Sequence, residues 1–294
     1  MYSEYENCKL CPRACGADRR TGRGYCGAGT ETVVARIMRH MWEEPCISGS
    51  RGSGAVFFSG CNLRCSYCQN RDISYALTGR AMTSDELAEA MLELQAQGAH
   101  NVDMITAAPY LPAVISAIKA AKERGLTVPV VYNTGGYETE DAVIELAPYV
   151  DVWLPDFKYV SSDLARRYSH AADYPEIAYR AISLMTELAG APVFGADGMI
   201  RSGVIVRHLV LPGCREDSKA VMRRIASIGA DRLKLSLMRQ YTPDFADESC
   251  DLRRRVTTFE YNDVLRCAVD LGLDGYSQSA ESAVASFTPD FGQN

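Results

Sequence analysis

The sequence predicts an α/β protein, a partial (β/α)6 TIM-type barrel with a cysteine-rich N-terminal extension. Three features point to it. From about residue 51, short β-rich strings alternate with amphipathic helical stretches, the pattern of βα units on a parallel sheet. Six such pairs can be counted, fewer than the eight of a closed barrel. Ahead of them, residues 1–50 show little periodicity and carry Cys8-x2-Cys11-x3-Cys15-x10-Cys26 among Pro12, Gly16, Gly22, Gly24, Gly27 and Gly29, which reads as a small fold wrapped on a metal. A chain of 294 residues suits one barrel-sized domain plus an appendage, so the expected units are 1–50 and 51–294.

The elements follow in order. A strand at 55–59 leads into a cysteine loop. Thr83 and Glu86 have capping-box spacing and open a helix with Leu87, Ala90, Met91 and Leu94 on one face. After a strand at 102–106, a second helix has Pro112 near its start, a stripe of Leu111, Val114, Ile115 and Ile118, and Gly125 at its end. Strands at 128–133 and 151–154 flank a helix near 139–147. A helix opening after Pro175 is expected to bury Ile177, Ala181, Leu184 and Leu188. A strand at 204–211 stops at Pro212-Gly213, a helix at 217–228 stops at Gly229, and a strand occupies 233–238. The last helix is capped by Thr257 and Glu260 and ends at Gly272. Parallel barrels carry reacting groups in the loops after strand C-termini, so those loops are where chemistry is expected.

Composition narrows the function. Hydrophobic residues make up 47% and charged residues 23%, with a net charge of -6, so phosphate backbones would repel the chain and no nucleic-acid partner is expected. Arg253-Arg254-Arg255 and Arg223-Arg224 read as solvated faces. The start, Met1-Tyr2-Ser3-Glu4-Tyr5-Glu6, is polar and acidic, unlike a secretory signal, and no apolar run approaches the ~20 residues needed to span a bilayer. A cytoplasmic protein with no membrane partner is the expectation. Eleven cysteines at ligand-like spacings then read as reduced, metal-bound thiolates rather than disulfides.

The most informative string is Gly60-Cys61-Asn62-Leu63-Arg64-Cys65-Ser66-Tyr67-Cys68-Gln69-Asn70. Its Cys61-x3-Cys65-x2-Cys68 spacing offers three soft thiolates to one centre. Closed zinc sites want four ligands, whereas a four-iron cube on three cysteines leaves one iron open to another molecule. With Tyr67 just before the last cysteine, the string resembles the signature of the radical S-adenosylmethionine (radical SAM) superfamily. The resemblance implies a [4Fe-4S] cluster on Cys61, Cys65 and Cys68, whose open iron binds S-adenosylmethionine. One electron, from a reductant such as flavodoxin or ferredoxin, would then cleave it to methionine and a 5'-deoxyadenosyl radical. It also implies that Tyr67 packs toward the adenine, a cluster-shielding ring being the alternative. Asn62 and Asn70 are candidates for hydrogen bonds to cluster sulfurs.

The other strand-end loops extend the comparison. Thr106-Ala107-Ala108-Pro109-Tyr110 lies where superfamily relatives carry a Gly-Gly-Glu-like string for the methionine amino group; it contains no acid, leaving backbone carbonyls around Thr106 and Ala107 for that ammonium. Asp156 and Lys158 end a buried-looking strand, where charges are costly unless they serve a ligand. They resemble the Asp-x-Lys segment of the pyruvate formate-lyase activating enzyme group, and Asn133-Thr134 stands where that group has an acid and a threonine. Those positions imply contacts to S-adenosylmethionine, with Asn133 arguing against a monovalent cation; a salt bridge closing the barrel rim is the alternative for Asp156 and Lys158. In Arg207-His208-Leu209-Val210-Leu211-Pro212-Gly213, His208 is expected to point into the barrel toward the methionine carboxylate or ribose, with Arg207 opposed; a satisfied core histidine is the alternative. Gln240 and Tyr241 are candidates for substrate recognition. His40, His100 and His170 read as structural, and Cys46, Cys214, Cys250 and Cys267 as small buried hydrophobes.

Cys8, Cys11, Cys15 and Cys26 fit a closed zinc site, an auxiliary iron–sulfur cluster, or free thiols. The resemblance, to an uncharacterised activating-enzyme-like branch, covers about 53–241 and implies an oxidoreductase that abstracts hydrogen from its substrate. That substrate is a glycyl-radical enzyme, another protein or peptide, or a small molecule. A non-catalytic iron–sulfur or zinc scaffold is the reading from another class.

Overall fold

The computed structural model describes residues 5–248 and 250–279. The ends of the two expected units, 1–4 and 280–294, lie outside the described residues.

Strand β1 (Thr32–His40) runs antiparallel to β2 (Ser53–Phe58), with the short helix α1 (Pro45–Ser48) between them. Helix α2 (Arg71–Ser74) and strand β3 (Arg80–Met82) follow, β3 pairing with the outer side of β1. The repeating units are α3 (Ser84–Ala96), β4 (Val102–Ile105), α4 (Leu111–Glu123), β5 (Val130–Thr134), α5 (Glu140–Leu146), β6 (Val152–Pro155), α6 (Ser162–Ser169) and α7 (Tyr174–Ala189). Strand β7 (Val193–Phe194) hairpins onto β8 (Ile200–Leu209), before α8 (Arg215–Gly229), β9 (Lys234–Met238), α9 (Thr258–Asp270) and β10 (Gly275–Ser277). The sheet order is β10-β9-β8-β6-β5-β4-β2-β1-β3. From β2 to β10 every neighbour is parallel, so the six expected strands form an open, partial barrel, extended by β10.

Local chemistry sets the helices. Thr83 and Glu86 close a reciprocal capping box on α3, and Thr257 and Glu260 do the same on α9, each cap contributing about 1 kcal/mol. Glu260 also binds Arg254 and the Gly213 amide, so the start of α9 pins the loop after β8. Helix α7 buries Ala178, Ala181, Ile182 and Met185, while Leu188 is 48% exposed; the small alanines let the helix approach the sheet, and the expected stripe is turned about the axis.

The pleat divides the core. Val56, Met104, Tyr132, Trp153, Val204 and Val206 pack outward under the helices. Val131, Val152, Leu154 and Ile205 point inward, where Cys46 and Ile47 of α1 plug the barrel. β1, missed in the sequence because its apolar alternation is broken by a bulge between Val34 and Arg36, lies alongside β2 through His40–Ser53. The expected boundary near residue 50 therefore falls between two paired strands. No helix among the described residues is long and apolar enough to cross a membrane.

Candidate active site

A cavity of about 620 Å³ opens at the C-terminal ends of the parallel strands. Cys61, Cys65, Cys68, Tyr67, Thr106, Asn133, Thr134, Asp156 and Lys158 all line it. Residues some hundred positions apart in sequence thus meet because each ends a strand or begins the loop beyond it.

Gly60 starts the cysteine loop at φ +86, and a side chain there would meet the Cys26 carbonyl at 2.7 Å, so only glycine allows the head this close. The Leu63 amide donates to Cys61 Sγ (3.4 Å) and the Cys68 amide to the Cys65 carbonyl (3.1 Å). Cys65 Sγ lies 3.0 Å from Ser169 Oγ, and Cys68 Sγ 3.4 Å from Ser74 Oγ. Burial pushes the Cys65 thiol up to about 12, with Lys158 opposing and the neighbouring cysteines adding to the rise. Buried thiols at Cys65 and Cys68, which resist ionisation on their own, suit a cation that takes the place of their protons, so the three-sulfur donor set fits an iron–sulfur centre.

Tyr67 is edge-on to Tyr168 and Tyr241, with centroids 6.2 and 6.1 Å away, and its hydroxyl accepts from Tyr159 (2.6 Å). Asp156 and Lys158 form an ion pair on the cavity wall. Burial works against the charge on Lys158, but Asp156 holds its pKa well above the ordinary value. Gly136, at φ +77, lets the preceding loop pass over the Asp156 carbonyl, 2.2 Å from where a Cβ would stand. Thr106 takes a left-handed φ of 63° at the wall, its amide bonded to the Asn133 carbonyl (2.9 Å). Gln240 and Tyr241 also line the cavity; Gln240 accepts from Gln278 (2.8 Å), and the Tyr241 hydroxyl donates to the Leu252 carbonyl (2.7 Å).

Three of the expected residues are placed differently. Ala107 is buried behind the wall, its carbonyl taken by the Tyr110 amide (2.9 Å). Asn62 donates to the Tyr137 carbonyl (2.8 Å) rather than to a sulfur. His208 points the opposite way from the expectation: it is 1% exposed among the outward residues of β8, with Nδ1 2.7 Å from the Phe157 carbonyl. Burial lowers its pKa to about 4, so it is neutral. Val204 and Val206 set that face outward, and the same pleat turns Arg207 inward.

Arg207 is a cavity-lining side chain whose partners the sequence did not disclose. It donates to both oxygens of Glu44 (2.8 Å each), to Glu43 and to Asn133 Oδ1 (3.3 Å). Glu43 and Glu44 come from the segment between β1 and α1; with β1 unrecognised, the acidic pair before Pro45 was the signal left unread.

In the head, Cys8 and Cys26 are buried, Cys11 is partly buried and Cys15 is exposed. Burial pushes the Cys11 and Cys26 thiols up, with the backbone at Arg13 and Ala28 opposing the rise. Arg19 Nη1 lies 3.8 Å from Cys8 Sγ. Among the described residues, no three His, Cys, Asp or Glu side chains stand round one single-ion position. Arg13 ties the head to the barrel: it donates to the carbonyls of Asn62 (2.7 Å), Leu63 (3.5 Å), Ser169 (3.0 Å) and His170.

An open parallel barrel with three thiols in the loop after its first parallel strand defines a class of cluster-dependent enzyme. The radical SAM superfamily model matches residues 55–225, and the chain belongs to that superfamily. The family implies a [4Fe-4S] cluster and S-adenosylmethionine. An uncharacterised protein of Methanocaldococcus jannaschii, MJ0674, is 28% identical over 92% of this chain and 76% of its own length. The pyruvate formate-lyase-activating enzyme of Clostridium pasteurianum is 27% identical over 59% of this chain and 67% of its own. Among solved structures, Streptococcus suis SuiB bound to the precursor peptide SuiA superposes with a TM-score of 0.53 at 12% identity, covering 77% of this chain and 48% of SuiB. A radical SAM methyltransferase from Sphaerobacter thermophilus gives 0.50 at 16% identity, covering 76% and 65%. The chain thus spans about half the length of SuiB, and these likenesses are of fold.

Proposed function

We propose that the chain is a cytoplasmic radical SAM oxidoreductase of the activating-enzyme type, acting on a protein or peptide. The observation that carries this reading is the meeting of Cys61, Cys65 and Cys68 with Tyr67 and the Asp156–Lys158 pair on one cavity. The three cysteines would hold the [4Fe-4S] cluster, which, with S-adenosylmethionine bound, supplies a 5'-deoxyadenosyl radical for hydrogen abstraction. Asp156 and Lys158 offer fixed opposite charges to a zwitterionic amino acid moiety, and Thr106, Asn133 and Thr134 add polar wall. Phe57, Ile105, Leu209 and Met238 line the rest and keep water from the reacting centre.

The relatives lend support for the substrate class: one is an activase, and SuiB was solved with a peptide. A glycyl-radical enzyme is the protein substrate favoured here, and a flavodoxin or ferredoxin the reductant. The head cysteines are read as a second site, for zinc or an auxiliary cluster.

Anaerobic reconstitution with iron and sulfide, then dithionite and S-adenosylmethionine, should yield 5'-deoxyadenosine from the wild type and none from Cys65→Ala. Equal yields would overturn the cluster assignment, and bound iron without product would leave a scaffold. A glycyl-radical paramagnetic signal on a co-purified partner separates an activase from a small-molecule enzyme. Loss of zinc alone or iron alone from Cys11→Ser identifies the head metal; unchanged metal content removes that site.

A further inference from the structure

The inner end of the cavity carries more negative than positive charge. Glu44 meets one edge of the Arg207 guanidinium with both oxygens, Nε–Oε1 and Nη2–Oε2 each 2.8 Å, the fork in which one carboxylate satisfies one arginine. Burial opposes the charge on Glu44, but Arg207 holds its pKa below the ordinary range, so both are ions. Glu43 touches the same Nη2 with Oε2 alone. Its Oε1 is 3.9 Å from His40 Nε2, beyond a hydrogen bond. Burial lowers the pKa of His40 despite Glu43, with Arg207 adding to the fall, so that ring brings no full charge. Lys158, the other cation of the wall, is paired with Asp156.

Two further features point the same way. Asp103 is 0% exposed on β4, one pleat below the cavity-lining Ile105; burial, with Glu43 and Glu44 adding, raises its pKa well above the ordinary range, so it stands protonated in their field, its Oδ2 accepting from Asn133 (3.3 Å) and its Oδ1 without a hydrogen-bond partner. Asn133 links this carboxyl to Arg207, placing it against the same cluster. Trp42, adjacent to Glu43, is 60% exposed and lines the cavity; an indole face attracts cations. A buried carboxylate in excess of its counter-ions is unfavourable until a cation joins it.

We propose that this inner wall binds the cationic end of the substrate, an alkylammonium or guanidinium group, with Glu43 as the receiving carboxylate. Glu43 and the three cysteines line one continuous cavity, so a substrate anchored here extends toward the cysteine loop. That placement rests on the radical reading; the binding does not. The cation comes either from a free amine or from a lysine or arginine side chain of a peptide.

Titration calorimetry on the anaerobic, reconstituted protein without reductant tests this with no turnover. The probes are agmatine and putrescine against 1,4-butanediol, and a blocked arginine tripeptide against its citrulline counterpart. Saturable binding of a cationic probe is expected at micromolar to millimolar concentration, weaker by roughly tenfold or more for the neutral partner and for Glu43→Gln, and largely kept in Glu43→Asp. Whether the free amine or the peptide binds identifies the source. Equal binding of neutral and charged probes, wild-type affinity in Glu43→Gln, no cationic binding, or displacement of the probe by S-adenosylmethionine would each overturn the proposal. If Glu43→Gln does not fold, the charged and neutral pairs on the wild type decide alone. Failure here leaves the 5'-deoxyadenosine assay intact, so the two readings fail separately.

Discussion

Ser169 Oγ lies 3.0 Å from Cys65 Sγ and 3.0 Å from the Tyr159 hydroxyl, which in turn donates to Tyr67. That serine therefore stands between one thiol of the cysteine loop and the Tyr159–Tyr67 pair. Once Cys65 is ionised, the serine hydroxyl is the donor of that pair and stabilises negative charge on sulfur. Ser169→Ala should lower the midpoint potential of the reconstituted cluster by tens of millivolts, the equivalent of roughly 1 kcal/mol for one hydrogen bond. Ser169→Thr should restore it. Paramagnetic resonance during a redox titration reads the shift, and an unmoved midpoint in the alanine variant would deny the bond an electronic role.

The Asp156–Lys158 pair admits two roles that part under mutation. If it receives S-adenosylmethionine, Lys158→Met lowers affinity roughly tenfold or more, because it removes a charge partner and strands Asp156. Equilibrium dialysis on the oxidised, cluster-loaded protein measures this. Were the pair only a rim salt bridge, the same substitution would lower the urea midpoint and leave affinity alone.

How legible the site was depends on which constraint sets each residue. The cysteine loop and the ends of β4, β5 and β6 could be read because short apolar strings and turn residues are local signals. Arg207 and His208 could not be oriented from sequence, since a one-residue change of register exchanges the faces of a strand. Only the packing of Val204 and Val206 against the helices decides it. Glu43 and Glu44 were hidden for a different reason: they act across more than 160 residues on Arg207, and nothing near them in sequence announces that partner.

Glu138 gives the protein a predictable response to pH. It is 3% exposed, accepts from the Thr134 hydroxyl, and burial pushes its carboxyl from 4.5 up to about 7 against the bond from Thr134. The folded state therefore holds this proton more tightly than the unfolded state. Its stabilising contribution is complete below about pH 4.5 and is lost as pH rises through about 7, amounting to roughly 3 kcal/mol. Glu138→Gln should flatten the stability curve across that window and be the more stable protein near pH 8. Urea unfolding at several pH values checks it, and parallel curves for the two proteins would contradict the assignment.

Arg13 makes the head part of the active site. It sits between Cys11 and Cys15, yet its guanidinium spans the carbonyls of Asn62 and Leu63 in the cysteine loop and of Ser169 and His170 at the end of α6. Ser169 is also the residue that touches Cys65, so one side chain from the head braces the loop from two directions. Arg13→Ala leaves these carbonyls without their donor, at about 1 kcal/mol each. The cluster in that variant should be lost to a chelator at least about fivefold faster than in the wild type, followed by its visible absorbance. Arg13→Lys, with a single ammonium in place of a fork, should fall between them. An Arg13→Ala protein whose head becomes protease-sensitive while its cluster persists as in the wild type would show that the contact serves the head alone.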